Sequence, residues 1–354
     1  VDGLLICRED FGKPPSKFIK ETESDLAGIF MKKFRFKRWI LALLILMPVL
    51  VRADTGIVIK TPHIYEVRYQ VQVTKNGGTV ENLRLAIPVF LLENLPPYQR
   101  ILGFQTNIPS LKMKQSGNEP IVEYLKPRWG NNPGIRLEFV YRIEHYAVEY
   151  KVYNYSGSNK VDPRYLQPEP GIESDDLEIV DFATRLAAGE SYPLEKAIKL
   201  FYYVNSKLLY QAADEQEHSA LRTLRRGYGV CEDYSLLYTA LCRAVGIPAR
   251  FVNGFRFDPT KLGKGENDLE QFGHAWVEVN LPGVGWVPVE PTFLYTVNGE
   301  KKVNYNFFGK LLDEDRHLLF SYARQRGIKW SWRYSQSVSP EIKVKNRITI
   351  KRIR

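Results

Sequence analysis

The sequence predicts an α+β protein in which an N-terminal antiparallel β-sandwich domain precedes helices packed on an antiparallel sheet. Three observations predict it. Residues 54–155 carry period-two alternation broken by Gly, Pro and Asn clusters. Residues 175–245 carry helical spacing with caps and stops, and strands return after Pro248. At 354 residues, with 44% hydrophobic and 25% charged side chains, the chain has the length of about two globular domains. That composition excludes disorder, collagen and a disulfide scaffold for the bulk of the chain.

The N-terminal region is set apart. Residues 31–53 (MKKFRFKRWILALLILMPVLVRA) place Lys32, Lys33, Arg35, Lys37 and Arg38 before an apolar run, Trp39 to Val51. Val51-Arg52-Ala53 follows with the residues of a cleavage site, which is the order of a secretory signal peptide. The run is short for a bilayer span, which needs about 20 residues. Residues 1–30 then read as an upstream, non-native extension, with translation starting at Met31. The mature protein begins near Asp54, periplasmic or secreted, and touches a membrane only through the signal peptide or as an uncleaved anchor.

Residues 54–160 form the sandwich. In Tyr65 to Val73 the odd positions are apolar or aromatic and the even ones polar, the pattern of a half-buried strand. Asn76-Gly77-Gly78 makes a turn, and further strands carry Val80, Leu83, Leu85 and Ile87, then Ile135, Leu137, Phe139 and Tyr141. His63 and His145 read as ordinary strand residues. Residues 161–174 (VDPRYLQPEPGIES) are a linker, and the catalytic core spans 175–295.

Within the core, Ser174 or Asp175 caps a helix that runs to Ala188 and stops at Gly189. Pro193 opens a second helix, with Leu194, Ile198, Phe201 and Leu208 on its buried face. A third begins at Cys231 and stops at Gly246. A strand follows at Ala249–Phe255, then a charged loop, then paired strands at His274–Val279 and Gly285–Glu290. Residues 296–354 read as a C-terminal β extension that closes the core's sheet. Lys343 to Arg354 alternates basic with apolar residues, a solvated strand face. The net charge of +10 has no concentrated basic patch, so no nucleic-acid partner is expected.

The chemistry gathers around Cys231. It opens its helix after a glycine-bearing loop, where the helix terminus stabilises a thiolate and its N–H groups suit an oxyanion. Cys242 sits mid-helix as a small hydrophobe, too far along the same helix to pair with Cys231. A nucleophilic thiolate needs an imidazole, and the imidazole needs an orienting group. His274 opens its strand, and Glu290 lies on the next. With Leu281-Pro282-Gly283 as the hairpin loop, Asn280 pairs with Val284 and His274 falls opposite Glu290. A slip of one residue would part them. Trp276 and Trp286 share this alternation, as core or as cleft wall. His218 and His317 have no partner at metal-ligand spacing, and no CxxC or HExxH occurs, so neither metal nor cofactor is expected.

Gly229-Val230-Cys231-Glu232-Asp233-Tyr234, Gly246-Ile247-Pro248-Ala249-Arg250, His274-Ala275-Trp276-Val277-Glu278-Val279 and Gly285-Trp286-Val287-Pro288-Val289-Glu290-Pro291-Thr292 together resemble the bacterial transglutaminase-like core. The likeness covers about Leu194 to Thr292. It implies a papain-like fold with Cys231 as nucleophile, His274 as base and Glu290 where the family usually has Asp. The activity so implied is attack on an amide bond of a protein or peptide substrate through a thioester, with hydrolysis favoured over amine transfer. The competing reading is a catalytically silent envelope module that binds a peptide or wall component.

Overall fold

The computed structural model describes residues 56–353 apart from 110, 117–118, 133, 154–156, 158, 213–216, 293, 298–299, 304, 313, 325–326 and 338. The expected extension at 1–30, with Cys7, and the signal peptide at 31–53 lie outside the described residues.

Alternation builds the sandwich as expected. Strand β1 (His63–Asn76) sits inside a sheet, paired antiparallel to the later strand Gly134–His145 along its length. Being central, it turns Tyr65, Val67, Tyr69, Val71 and Val73 inward, all buried, while Glu66, Arg68 and Gln70 stay half-exposed. Full burial of such a side chain contributes about 1.5–3 kcal/mol. Strands β2 (Val80–Pro88), β3 (Gln99–Thr106), β4 (Met113–Ser116), β5 (Glu119–Trp129) and β6 (Gly134–His145) follow. One sheet contains β1, β6 and β3, and the other β2, β5 and β4. Their facing side chains share one hydrophobic cluster.

Four helices come next. Helix α1 (Leu177–Leu186) is capped by the Asp176 carboxylate, which accepts from the Glu178 N–H. Helix α2 (Pro193–Lys207) opens on its proline. The short α3 (Ala220–Arg226), capped by Ser219 and ended by left-handed Gly227, is not foreseen from sequence. Helix α4 (Cys231–Ala244) buries nearly all its residues and packs on α1, α2, α3 and the core sheet. Beneath it β7 (Ala249–Phe257), β8 (Gly273–Leu281), β9 (Gly285–Val289) and β10 (Arg316–Ser321) make a four-stranded antiparallel sheet in the order β9–β8–β7–β10. The α+β expectation holds.

The C-terminal tail departs from expectation. Among the described residues of the tail, only β10 joins the core sheet. Strand β11 (Lys329–Arg333) pairs with β2 in one sandwich sheet, and β12 (Glu341–Arg352) pairs with β1 in the other. The reason is burial: Ile342, Ile348 and Ile350 of β12 need an apolar face, and the free edge of β1 offers one. The chain thereby returns from the core to the sandwich, and the two form one compact unit across the described residues. A buried cluster strengthens the join. Tyr98 donates to Glu278 Oε1 at 2.5 Å, and Glu278 pairs with Arg250. The Arg250 guanidinium lies 3.7 Å from the Tyr322 ring and 4.1 Å from that of Trp286. Trp286 thus covers Arg250. Among the described residues no helix is long and apolar enough to cross a membrane.

Candidate active site

Cys231 is the first residue of α4, and its placement is over-determined. Asp233, fully buried, accepts from the Val230 N–H through Oδ2 at 2.8 Å, tying down the turn that enters the helix. Its Oδ1 receives His218 Nδ1 at 2.8 Å, Thr223 Oγ1 at 3.3 Å and Arg226 at 2.5 Å. Burial alone would raise the Asp233 carboxyl; the His218 and Val230 hydrogen bonds and the nearby charges reverse this and lower it. The same bond raises His218. His218 therefore has a partner, which spacing along the chain did not reveal. Gly229 is required here, since a Cβ would sit 2.4 Å from that of Asp233. Next to Cys231, Glu232 receives Arg324 Nε at 2.7 Å. Neither Cys231 nor Cys242 is in a disulfide, and both are buried. Burial pushes the Cys242 thiol up to about 12, as suits an inert core residue.

His274 and Glu290 come together. His274 Nε2 faces Glu290 Oε2 at 2.5 Å, deep in the interior. The register that achieves this is not the expected one. Leu281 pairs with Gly285 and Asn280 with Trp286, so the loop is Pro282 to Val284 and the strands slide by two residues. Gly283 and Gly285, with φ of +71° and +92°, permit that turn. Continued past β9, this register sets Glu290 opposite Trp276, and His274 lies on the diagonal. A slide of two preserves the face where a slide of one would reverse it. The diagonal separation is about 7–8 Å between backbones, within reach of a glutamate. The length of Glu290 suits this geometry.

Three further contacts fix Glu290. Its Oε1 accepts from the Thr292 N–H at 2.9 Å, and its own N–H donates to the Phe307 carbonyl at 2.8 Å. Asn205 of α2 donates to the Pro291 carbonyl at 2.9 Å. The third is His317 of β10, whose Nε2 lies 3.1 Å from the same Oε2 that faces His274. The sequence reading gave His317 no partner. The correction has a plain cause: β10 reaches the site by pairing with β7, a long-range contact no local pattern announces. Burial would raise the Glu290 carboxyl, but the charges and hydrogen bonds of His274 and His317 outweigh it and hold it well below the ordinary range. Trp276 is core, stacked near the His274 ring at 6.3 Å and edge-on to His317 at 5.2 Å.

His145 also proves less isolated than expected. Its Nε2 donates to the His317 carbonyl at 2.8 Å, linking β6 to the strand that carries the second imidazole. Burial, helped by Arg316, depresses it to about 3, so it stays neutral.

The arrangement can orient an imidazole from one side by a buried carboxylate. It packs the strand bearing that imidazole against the helix that begins at Cys231.

Comparison with known proteins finds likeness in this part of the chain. A model of the transglutaminase-like superfamily matches residues 180–291. An uncharacterized protein of Haemophilus influenzae is 30% identical over 146 residues, 36% of this chain and 38% of that one. A protein-glutamine gamma-glutamyltransferase of Pseudomonas aeruginosa is 33% identical over 106 residues, 29% of this chain and 15% of that one. The chain thus spans well under half the length of these curated relatives. The crystal structure of a proposed cysteine protease from Cytophaga hutchinsonii superposes with a TM-score of 0.51 at 15% identity, covering 84% of this chain and 99% of that one, a likeness of fold. The likeness to the transglutaminase-like superfamily thus rests on residues 180–291, the stretch that carries Cys231, His274 and Glu290.

Proposed function

We propose that the chain is an extracytoplasmic cysteine enzyme that acts on amide bonds of proteins or peptides through a thioester, with Cys231, His274 and Glu290 as its catalytic residues. The observation that carries this reading is the buried His274–Glu290 hydrogen bond on the strand packed against the helix headed by Cys231. Glu290 engages Nε2 of His274, which assigns Nδ1 to the exchange of a proton with Cys231. The thiol gives that proton to His274, and the thiolate attacks the amide carbonyl. The carbonyl oxygen takes negative charge near the positive end of α4. His274 then returns the proton to the leaving nitrogen as the C–N bond breaks, and an acyl thioester remains on Cys231. Glu290 stays ionised throughout and stabilises the imidazolium.

Water then resolves the thioester in a peptidase or deamidase, an amine in a transglutaminase. We favour water, because it is present at far higher concentration than any amine and an amine-selective enzyme must exclude it. The basic and apolar order of residues 31–53 supports export from the cytoplasm.

A glutamine-containing protein substrate incubated with the full chain tests this, with ammonia and peptide release read beside incorporation of a fluorescent primary amine. Release that disappears in Cys231→Ala is expected. Transfer frees one ammonia per amine incorporated, so ammonia release matched one-for-one by amine incorporation would replace hydrolysis by transfer, whereas release in excess supports hydrolysis. The near-complete burial of Cys231 favours the second reading, a silent binding module. Absence of both activities across varied substrates supports that reading.

A further inference from the structure

Orienting a base takes one imidazole on the carboxylate, and this structure supplies two. One ring nitrogen of His274, one of His317 and a carboxylate oxygen of Glu290 all lie within 4.8 Å of one another, and all three residues are buried. Glu290 Oε2 is 2.5 Å from Nε2 of His274 and 3.1 Å from Nε2 of His317. The outer contacts of this group are also informative. His317 Nδ1 lies 3.3 Å from the Asp315 carbonyl oxygen, an acceptor, and Nε2 faces a carboxylate, another acceptor. A neutral imidazole carries one N–H. A neutral His317 can therefore serve one of these acceptors and leaves the other unmet, whereas an ion bound at Nε2 beside Glu290 frees the Nδ1–H for Asp315. A backbone carbonyl on the far ring nitrogen is also the usual support of a metal-bound histidine.

We propose that His274, Glu290 and His317 form a binding site for a divalent transition-metal ion, zinc foremost. Two imidazole nitrogens with one carboxylate oxygen suit zinc, whereas calcium and magnesium require oxygen ligands throughout. Zinc bonds of about 2.0–2.2 Å set tetrahedral donor atoms about 3.3 Å apart, so shifts of roughly 1 Å admit the ion. Binding displaces to solvent any proton held on the two Nε2 atoms. Trp276, against both rings, supplies the apolar wall. The binding itself stands apart from the enzymatic reading. Its consequence rests on that reading: an ion on Nε2 withdraws His274 from Glu290, and zinc acts as a reversible off-switch.

The test titrates Zn2+, in competition with a chromogenic chelator, into the full chain carrying Cys7→Ser and Cys231→Ser, so that neither thiol competes for the ion. One equivalent is expected to bind. Adding Glu290→Gln or His317→Gln is expected to weaken it by about 100-fold or more. Zinc-edge X-ray absorption on the Cys7→Ser chain, with Cys231 intact, is expected to read two imidazoles and no sulfur, and needs no site variant to fold. Loss of binding on Cys231→Ser, sulfur in the coordination shell, or affinity unchanged in both Gln variants would overturn the proposal. Failure of the enzymatic reading is visible separately, as zinc binding without any amide turnover in the Cys7→Ser chain.

Discussion

Aspartate is the residue the transglutaminase-like motif usually carries at position 290, and the geometry predicts that it fails here. Glu290→Asp shortens the side chain by one C–C bond of about 1.5 Å. With Thr292 and Phe307 holding the backbone nearby, the 2.5 Å contact to His274 opens to roughly 4 Å, beyond hydrogen-bond range. A charge-assisted hydrogen bond of this kind contributes about 1.5–3 kcal/mol. Converted at about 1.4 kcal/mol per decade, its loss lowers the reactivity of Cys231 roughly 10–100-fold. The assay is the second-order rate of iodoacetamide modification at pH 7, mapped to Cys231 by mass spectrometry, with circular dichroism confirming that the variant is folded. Glu290→Gln, which keeps the length and removes the charge, is the comparator and is expected to lose a similar factor. Modification of Glu290→Asp at or above the wild-type rate would refute the reasoning, because the diagonal register would then not require the longer acid.

Further outcomes follow from burial and charge. Cys242, its thiol pushed up to about 12, is expected to resist alkylation in the folded protein and to react only on unfolding, read by the same mass mapping. Asp233→Asn leaves His218 and Arg226 without their shared carboxylate and is expected to cost roughly 3 kcal/mol in denaturant titration. Hydrogen exchange should also quicken in the first turn of α4. His145 is held near 3 while an unfolded imidazole titrates near pH 6.5. Between those values the unfolded chain binds the extra proton, so stability falls as pH drops through this window, by about 2–3 kcal/mol at pH 4.5. His145→Gln should flatten that decline. The depressed Glu290 adds a loss that begins lower, once pH passes below the ordinary carboxylate range.

What the sequence disclosed was local. Alternation in Tyr65–Val73 located a central strand, and the glycine loop before Cys231 located the head of α4, because both depend on neighbours within a few residues. His274 and Glu290 were legible as one unit because a short hairpin joins them. Their register was not, since two glycines with positive φ set the three-residue loop one position later. The partners of His317 and His218 were not legible, because β10 and α4 bring them together through tertiary pairing. The destination of β12 was hidden for the same reason. Its alternation announced a strand, yet nothing in it named β1 as partner over the core sheet.

The central claim is that His274, held by Glu290, activates Cys231. The pH profile of iodoacetamide alkylation at Cys231, for the full chain beside His274→Ala, tests it most directly. The account predicts modification of the wild type well below the free-thiol midpoint near 8.5, with the midpoint rising in His274→Ala. A Cys231 that titrates as a free thiol in both proteins would contradict it.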